Sequence, residues 1–360
     1  MRILILANSS AGLYDFRSEF IERLLRDHQL TVSVPDSVKA EQLAKLGCEV
    51  ITTAINRRGM NPVEDYRLYR EYGRLLRAVQ PELVLTYTIK PNIYGGLNCR
   101  RARIPYLATI TGLGSTFQHR SLVRRIVIGL YRRGLKRAAC VFFQNEENQA
   151  IFERFRIRGK SSRLVSGSGV NLKKHFMEPY RLDDQFYFLY VGRVMKEKGI
   201  EEFLTAAETL HSEKVHFQIV GYCDEDYQER LDNLEIRGYI QQLGFRPDIH
   251  EILAQASAVV LPTYHEGMSN VLMEASSTGR PVIASNISGC REIFTEGETG
   301  LGFNPGDSGD LIRALRQFMA IPASDRAMMG RRARERMGKY FDRERVIDAY
   351  IEEIEKLTKG

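Results

Sequence analysis

The chain has no tryptophan, five cysteines and eleven prolines in 360 residues, and it has no long apolar run. Each shortage excludes something. Cys48, Cys99, Cys140, Cys223 and Cys290 are an odd set without a CxxC pair, which argues against a disulfide framework and against zinc. Reduced thiols in the cytosol are expected. No stretch approaches the roughly 20 apolar residues of a membrane-spanning helix. The opening MRILILA is shorter than a signal-peptide core and is followed by no small-residue cleavage site, so a cytoplasmic location is expected. Hydrophobic residues make up 43% and charged residues 27%, which excludes disordered and fibrous classes.

One further shortage is local. From Leu83 to Asn145 there is no Asp or Glu at all, against eleven Lys and Arg. Residues 1–180 carry 30 basic and 15 acidic side chains, and residues 181–360 carry 22 and 30, so a net charge of +7 conceals +15 and −8. The basic half is expected to meet an anionic partner; nucleic acid, phospholipid and a phosphorylated substrate are the choices.

What is present is an alternation. Strand-length apolar runs at Arg2–Ala7, Leu30–Pro35, Glu49–Thr53, Leu83–Thr88, Tyr106–Thr111 and Cys140–Gln144 alternate with helical segments such as Phe16–Asp27, Pro62–Val79 and Ser121–Ala138. After a polar linker near Ser166–Asp184 the pattern restarts. Strands are expected at Phe186–Gly192, Val215–Gly221, Ala258–Pro262 and Pro281–Ser285, with helices at Ile200–His211, Ile249–Gln255 and Asn270–Thr278. This predicts an α/β protein of two Rossmann-like, doubly wound parallel-sheet domains with a cleft between them. The boundaries are expected at 1–170 and 171–340, with a final helix in 341–360 packing back toward the first domain.

Ligands in such folds bind beyond the carboxyl ends of the strands. Three strand-to-helix junctions therefore matter. Asn8–Gly12 is small enough for a close backbone approach at Ser10 and Gly12, and a plain tight turn is the alternative. Gly192–Gly199 (GRVMKEKG) puts Arg193 and Lys198 beside a helix N-terminus, a combination suited to a diphosphate; a solvated basic loop is the alternative. His265–Glu274 offers a cap at Ser269 or Asn270, free N–H groups around Met268–Val271, and two carboxylates, Glu266 and Glu274, that can accept bonds from sugar and ribose hydroxyls. A dipole partner and an exposed helix residue are the plainer readings of that pair.

GRVMKEKG followed by EGMSNVLMEA resembles the family 4 retaining glycosyltransferases of GT-B fold, with Glu266 and Glu274 as their Glu-x7-Glu motif. The resemblance spans the chain, including SGCREIF and ETGLGF. TYTIKPNIYG (86–95) and TITGLGSTF (109–117) are similar to the branch that assembles capsule, O-antigen and other lipid-linked glycans. The resemblance implies that Arg193 and Lys198 bind the donor diphosphate. Glu266 positions the transferred sugar, Glu274 holds the ribose, and Ser10, Gly12, Met268, Ser269, Asn270 and Val271 complete the donor site. Arg246 sits where relatives contact the base. It implies front-face substitution helped catalytically by Arg193, Lys198 and Glu266, a UDP-linked hexose or N-acetylhexosamine as donor, and a polyprenyl-diphosphate glycan as acceptor. Many members carry a histidine where this chain has Thr111, so no histidine role is carried over, and His119 is read as a surface residue.

Lys90, Asn92 and Thr111 are the candidate acceptor contacts. On a helical wheel Val123, Ile126, Val127, Leu130, Tyr131 and Leu135 share one side of segment 121–138, and Arg125, Arg132, Arg133, Lys136 and Arg137 the other, with Arg124 off that arc. These six cations are expected to hold the protein on an anionic membrane surface, at the inner face of the cell membrane. No aromatic-basic interleaving supports nucleic acid as a partner. No metal or cofactor is expected; Asp224 and Asp226 are the nearest thing to a metal-holding pair, and a solvated loop explains them. The rival readings are a UDP-sugar epimerase of the same fold and a non-catalytic sugar-binding protein.

Overall fold

The computed structural model describes residues 1–56, 61–113, 122–247 and 249–358. His119 and the end of the 109–117 motif lie outside the described residues. The chain forms two units, Met1–Ser168 with Ile347–Gly360, and Gly169–Val346.

The first unit runs β1 (Arg2–Leu6), α1 (Ser10–Leu25), β2 (Gln29–Val34), α2 (Ala40–Leu46), β3 (Glu49–Thr52), α3 (Pro62–Val79) and β4 (Leu83–Tyr87). A π-helical turn, Pro91–Gly95, leads into α4 (Gly96–Ala102), followed by β5 (Tyr106–Ile110), α5 (Leu122–Leu135), β6 (Cys140–Phe143), α6 (Glu146–Arg154) and β7 (Ser162–Leu164). Seven parallel strands lie in the order β3-β2-β1-β4-β5-β6-β7. Local chemistry sets the ends of the helices. Asn61 caps α3 by accepting from the Val63 N–H, Pro62 opens its first turn, and Glu64 and Asp65 face its positive end. Strands β4 and β5 are buried at every residue, as a central parallel strand between two helical layers must be.

The second unit runs β8 (Phe186–Val191), α7 (Ile200–Leu210), β9 (Val215–Val220), α8 (Gln228–Ile236), β10 (Gln241–Gly244), α9 (Ile249–Gln255), β11 (Ala258–Leu261), α10 (Asn270–Ser277), β12 (Val282–Ser285) and β13 (Gly300–Phe303). Helices α11 (Ser308–Ala320) and α12 (Ala323–Arg336) follow, and α13 (Arg343–Thr358) starts in this unit and from Ile347 belongs to the first. Six parallel strands take the order β10-β9-β8-β11-β12-β13. The two doubly wound parallel sheets expected from the alternation are both present. Strands β7, β10 and β13, outside the apolar-run pattern, each lie at a sheet edge, where a strand need not be apolar on both faces.

Strand order positions the chemistry. In the second sheet β8 lies beside β11, so the connections leaving their carboxyl ends diverge at a topological switch point. Segments 192–199 and 262–269, seventy residues apart in sequence, are therefore neighbours.

Candidate functional site

Two glycine contacts fix the loop at 262–269, one against segment 192–199 and one against the SGCREIF segment. Gly199 has φ 71°, and a Cβ there would stand 1.9 Å from the Pro262 carbonyl oxygen, so only glycine lets the turn at Lys196–Lys198 press against the end of β11. Gly289 has φ 87°, and a Cβ would meet the Glu266 and Gly267 carbonyl oxygens at 2.9 and 2.8 Å. The Ser269 N–H donates to the Gly289 carbonyl at 2.9 Å, which ties the SGCREIF segment to the loop that carries Glu266.

The result is a short ion pair. Lys198 Nζ lies 2.5 Å from Glu266 Oε1, with the side chains 20% and 16% exposed. Arg193 Nη1 contacts Asp224 Oδ2 at 2.6 Å, and the Tyr190 hydroxyl donates to the Arg193 carbonyl at 2.7 Å. Asp224 thus orients a guanidinium instead of standing in a solvated loop. Cys290 lies close enough to feel the charges of Glu266 and Lys198; burial, reinforced by Glu266, pushes its thiol well above the ordinary range. Partly shielded ion pairs at a strand's carboxyl end present charge that a diphosphate and sugar hydroxyls can each take up.

Helix α10 begins at this loop. Ser269 is buried, and its hydroxyl accepts from the Leu272 N–H at 3.4 Å. Its N–H is used inside the protein and its hydroxyl caps the helix, so Ser269 builds the N-terminus of α10. Met268 is buried in the core, leaving only its backbone available. Asn270 and Val271 stand half-buried in the first turn, where N–H groups lack intrahelical acceptors.

Glu274 has a partner that the sequence reading missed. His175 Nε2 lies 3.8 Å from Glu274 Oε1, and the His175 side chain is 3% exposed. The His175 backbone is held from both sides. Its carbonyl accepts from the Ser277 hydroxyl at 2.5 Å and from Arg334 Nη1 at 2.7 Å. Next to it the His250 ring lies 5.8 Å away, itself 3.5 Å from a Glu178 carboxylate oxygen. His175 sits in the linker, without a motif, and no sequence signal marks it. Arg246 is exposed just past β10, beside Phe245, which is 71% exposed.

In the first unit several expected contacts are redirected. Ser10 is fully buried; its hydroxyl bonds the Asp36 carboxylate and accepts the Lys39 N–H at 2.9 Å. The Gly12 N–H donates to Ser9 Oγ at 3.1 Å. The Ser10 hydroxyl thus joins the β1–α1 and β2–α2 turns, as the tight-turn alternative has it, and without exposed surface it is not presented to a donor, whereas Gly12 stays half-buried at the start of α1. Asn92 is also corrected. It is 0% exposed, accepting from the Thr86 hydroxyl at 2.6 Å and donating to the Thr109 carbonyl at 2.8 Å, so it straps β4 to β5 and cannot touch an acceptor. Lys90 pairs with Asp65 at 2.7 Å, and Thr111 is half-buried past β5. Behind Lys90, a cavity of about 620 Å³ opens at the carboxyl ends of β2 and β3, lined by Thr53, Asn56, Glu64, Asp65 and Glu71 among others.

Helix α5 is rotated from its expected placement. Val127, Ile128, Tyr131 and Leu135 face inward, whereas Val123 and Ile126, expected on the apolar side with them, are 40% and 50% exposed beside Leu122 at 70%. The cause is Gly134, which packs against the π-helical turn: a Cβ there would lie 2.9 Å from the Ile93 carbonyl oxygen. Arg125, Arg132, Arg133, Lys136 and Arg137 are exposed, while Arg124 is half-buried with its guanidinium 5.5 Å from the Phe155 ring.

Comparison with known proteins gives this arrangement a family. A Glycosyl transferase 4-like model matches residues 2–145, and a Glycosyl transferases group 1 model matches residues 173–336. The chain is 28% identical over 333 residues to the N,N'-diacetylbacillosaminyl-diphospho-undecaprenol alpha-1,3-N-acetylgalactosaminyltransferase of Campylobacter jejuni, covering 88% of each. It is 26% identical to the UDP-Gal:alpha-D-GlcNAc-diphosphoundecaprenol alpha-1,3-galactosyltransferase of Escherichia coli, over 72% of this chain and 71% of that one. Among solved structures, sucrose-phosphate synthase of Thermosynechococcus elongatus superposes with a TM-score of 0.82 at 20% identity, covering 100% and 99% of the two chains. Anabaena HepE in complex with UDP and glucose gives 0.81 at 20% identity, over 99% of each. A 4-like domain followed by a group 1 domain, on two parallel sheets, makes this chain a member of the GT-B glycosyltransferases.

Proposed function

We propose that the protein is a retaining, metal-independent transferase that moves a hexose or N-acetylhexosamine from a nucleotide sugar, with UDP as the nucleotide, to a polyprenyl-diphosphate-linked glycan. The observation that carries this reading is the Lys198–Glu266 pair beside Arg193, at the carboxyl ends of β8 and β11. The two curated relatives named above act on diphospho-undecaprenol-linked sugars, which supports the acceptor class.

In this mechanism Arg193 and Lys198 bind the leaving diphosphate, and Glu266 accepts hydroxyl bonds from the transferred sugar. Glu274 holds the ribose, Arg246 lies near the base, and the first turn of α10 turns its dipole toward the phosphates. The acceptor hydroxyl attacks the anomeric carbon on the face from which the diphosphate departs, and a phosphate oxygen takes the acceptor's proton. Charge grows on the leaving phosphate in the transition state, where fixed cations contribute most. Cations serve the role that a metal ion fills in other transferases, so a chelator is expected to leave turnover unchanged. The exposed cations of α5, with Leu122, Val123 and Ile126 beside them, support peripheral attachment to an anionic membrane on the cytoplasmic side.

A panel of nucleotide sugars, ranked by thermal shift and then assayed with a synthetic polyprenyl-diphosphate monosaccharide in EDTA, tests this. Nucleotide release that depends on acceptor, with the anomeric configuration kept, is expected. Release that requires added divalent metal, or conversion of a nucleotide sugar without acceptor, would overturn the assignment.

A further inference from the structure

The amino-terminal edge of the first sheet, opposite the strand ends that carry the candidate acceptor contacts, holds a feature that transfer chemistry does not use. Arg100 and Arg101 sit in the last turn of α4, Arg103 follows at its left-handed C-cap with φ 60°, and Arg137 lies two residues past α5. Their side chains line one open pocket of about 440 Å³, completed by Tyr69 and Leu97. Arg103 precedes β5 and Arg137 precedes β6, which places the pocket where those strands begin.

The pocket is built rigidly. Helices α4 and α5 meet through glycine, since a Cβ on Gly96 would stand 2.4 Å from the Gly134 carbonyl oxygen. That same carbonyl accepts the Tyr106 hydroxyl at 2.5 Å, and Arg100 Nη1 donates to the Arg133 carbonyl at 3.3 Å. The third wall is clamped as well, because Asn98 Nδ2 donates to the Tyr69 carbonyl at 2.8 Å. Four guanidinium groups thus hang from elements whose mutual positions are set by backbone contacts.

No carboxylate lines the pocket, and among the described residues none of the four arginines has an ion-pair partner. One or two cations near a helix C-terminus answer its dipole. Four do not have that explanation, because α4 is only seven residues long and Arg103 and Arg137 lie outside any helix. Like charges gathered in one concavity raise its potential and favour an anion of matching geometry. Guanidinium forks match phosphate oxygens two at a time, and Tyr69 with Leu97 offers an apolar wall for the carbon next to the phosphate.

We propose that this pocket is a phosphate-binding site separate from the transfer site, taking a phosphomonoester or diphosphate group. The phosphate can be borne by a membrane lipid or by a soluble molecule. The proposal does not depend on the sugar or acceptor used in catalysis.

The absence of tryptophan supplies the test. Tyr69→Trp places a single indole in the wall and keeps an aromatic there. Its fluorescence is followed while inorganic pyrophosphate is added, and in a second arm while vesicles of phosphatidic acid, a phosphomonoester lipid, in phosphatidylcholine are added, with sodium chloride at matched ionic strength as the control. A saturable change is expected in at least one arm. In the Arg101→Gln/Arg103→Gln background the affinity is expected to fall about tenfold or more, with the thermal unfolding midpoint unchanged. Response to vesicles alone assigns a lipid phosphate, and response to pyrophosphate assigns a soluble one. No saturable change in either arm, a change equalled by sodium chloride, or an affinity that survives the double substitution overturns the proposal.

Discussion

At the residue scale, two carboxylate–cation contacts organise the donor half. Lys198 and Glu266 are brought to 2.5 Å with the help of close backbone approaches at Gly199 and Gly289, neither of which carries a charge of its own. Replacing Lys198 with alanine leaves Glu266 without its partner and removes a cation from the leaving phosphate. Turnover is expected to fall about 10²–10³-fold, with the unfolding midpoint close to that of the parent; near-parental kcat would remove Lys198 from the mechanism. In the proposed mechanism His175 stands one step further back, as a positioning residue for Glu274. His175→Ala is expected to raise the donor KM several-fold and to leave kcat within about twofold, as loss of uniform binding does. The same variant should bind a nucleoside diphosphate lacking both ribose hydroxyls as well as the parent does. Equal weakening for that analogue would reduce His175 to a packing role.

The range of α3 can be read directly from the sequence, at Pro62–Val79, because capping and period agree there, and α9 likewise occupies its expected Ile249–Gln255. Helix α5 shows where that reading stops. Its wheel has one apolar side, yet Val127, Ile128, Tyr131 and Gly134, the last of them packed on the π-helical turn, face inward and Leu122, Val123 and Ile126 stay exposed. Periodicity reports that a helix has a face, and the neighbour's shape decides how that face is turned. The exposed trio beside five exposed cations makes a testable membrane element. Leu122→Asp with Ile126→Asp is expected to weaken co-sedimentation with phosphatidylglycerol vesicles about tenfold or more, and salt should weaken parental binding as it screens the arginines. Binding indifferent to both would mean that α5 does not face lipid.

At the scale of the whole molecule, the chain ends inside the unit in which it began. Residues from Ile347 onward belong with Met1–Ser168. Tyr350 is the anchor: its ring stacks on Phe142 at 3.9 Å, its hydroxyl lies 2.8 Å from Thr109 Oγ1, and Arg17 sits 5.5 Å from its ring centroid. Burial pushes the Tyr350 phenol above its ordinary range, so it stays neutral at any physiological pH. Tyr350→Ala is expected to destabilise the first unit by about 3–5 kcal/mol, read as faster hydrogen exchange in β5 and β6 with β8 and β11 unaffected. A uniform increase across both sheets would contradict this division of contacts.

The sequence by itself determined the two βαβ series, the linker between them, the loops at which charged residues gather and the excess of cations in the first half. Those properties follow from period, capping and composition, which act over a few residues. Only the tertiary structure decided that Lys198 meets Glu266, that His175 stands behind Glu274, and that Ser10 and Asn92 turn inward. Each of those outcomes depends on strand order or on the approach of distant backbones. At Asn92, for instance, the choice between acceptor and strap was made by the Thr86 hydroxyl and the Thr109 carbonyl on two neighbouring strands, and an amide bonded at both ends with no exposed surface cannot reach a ligand.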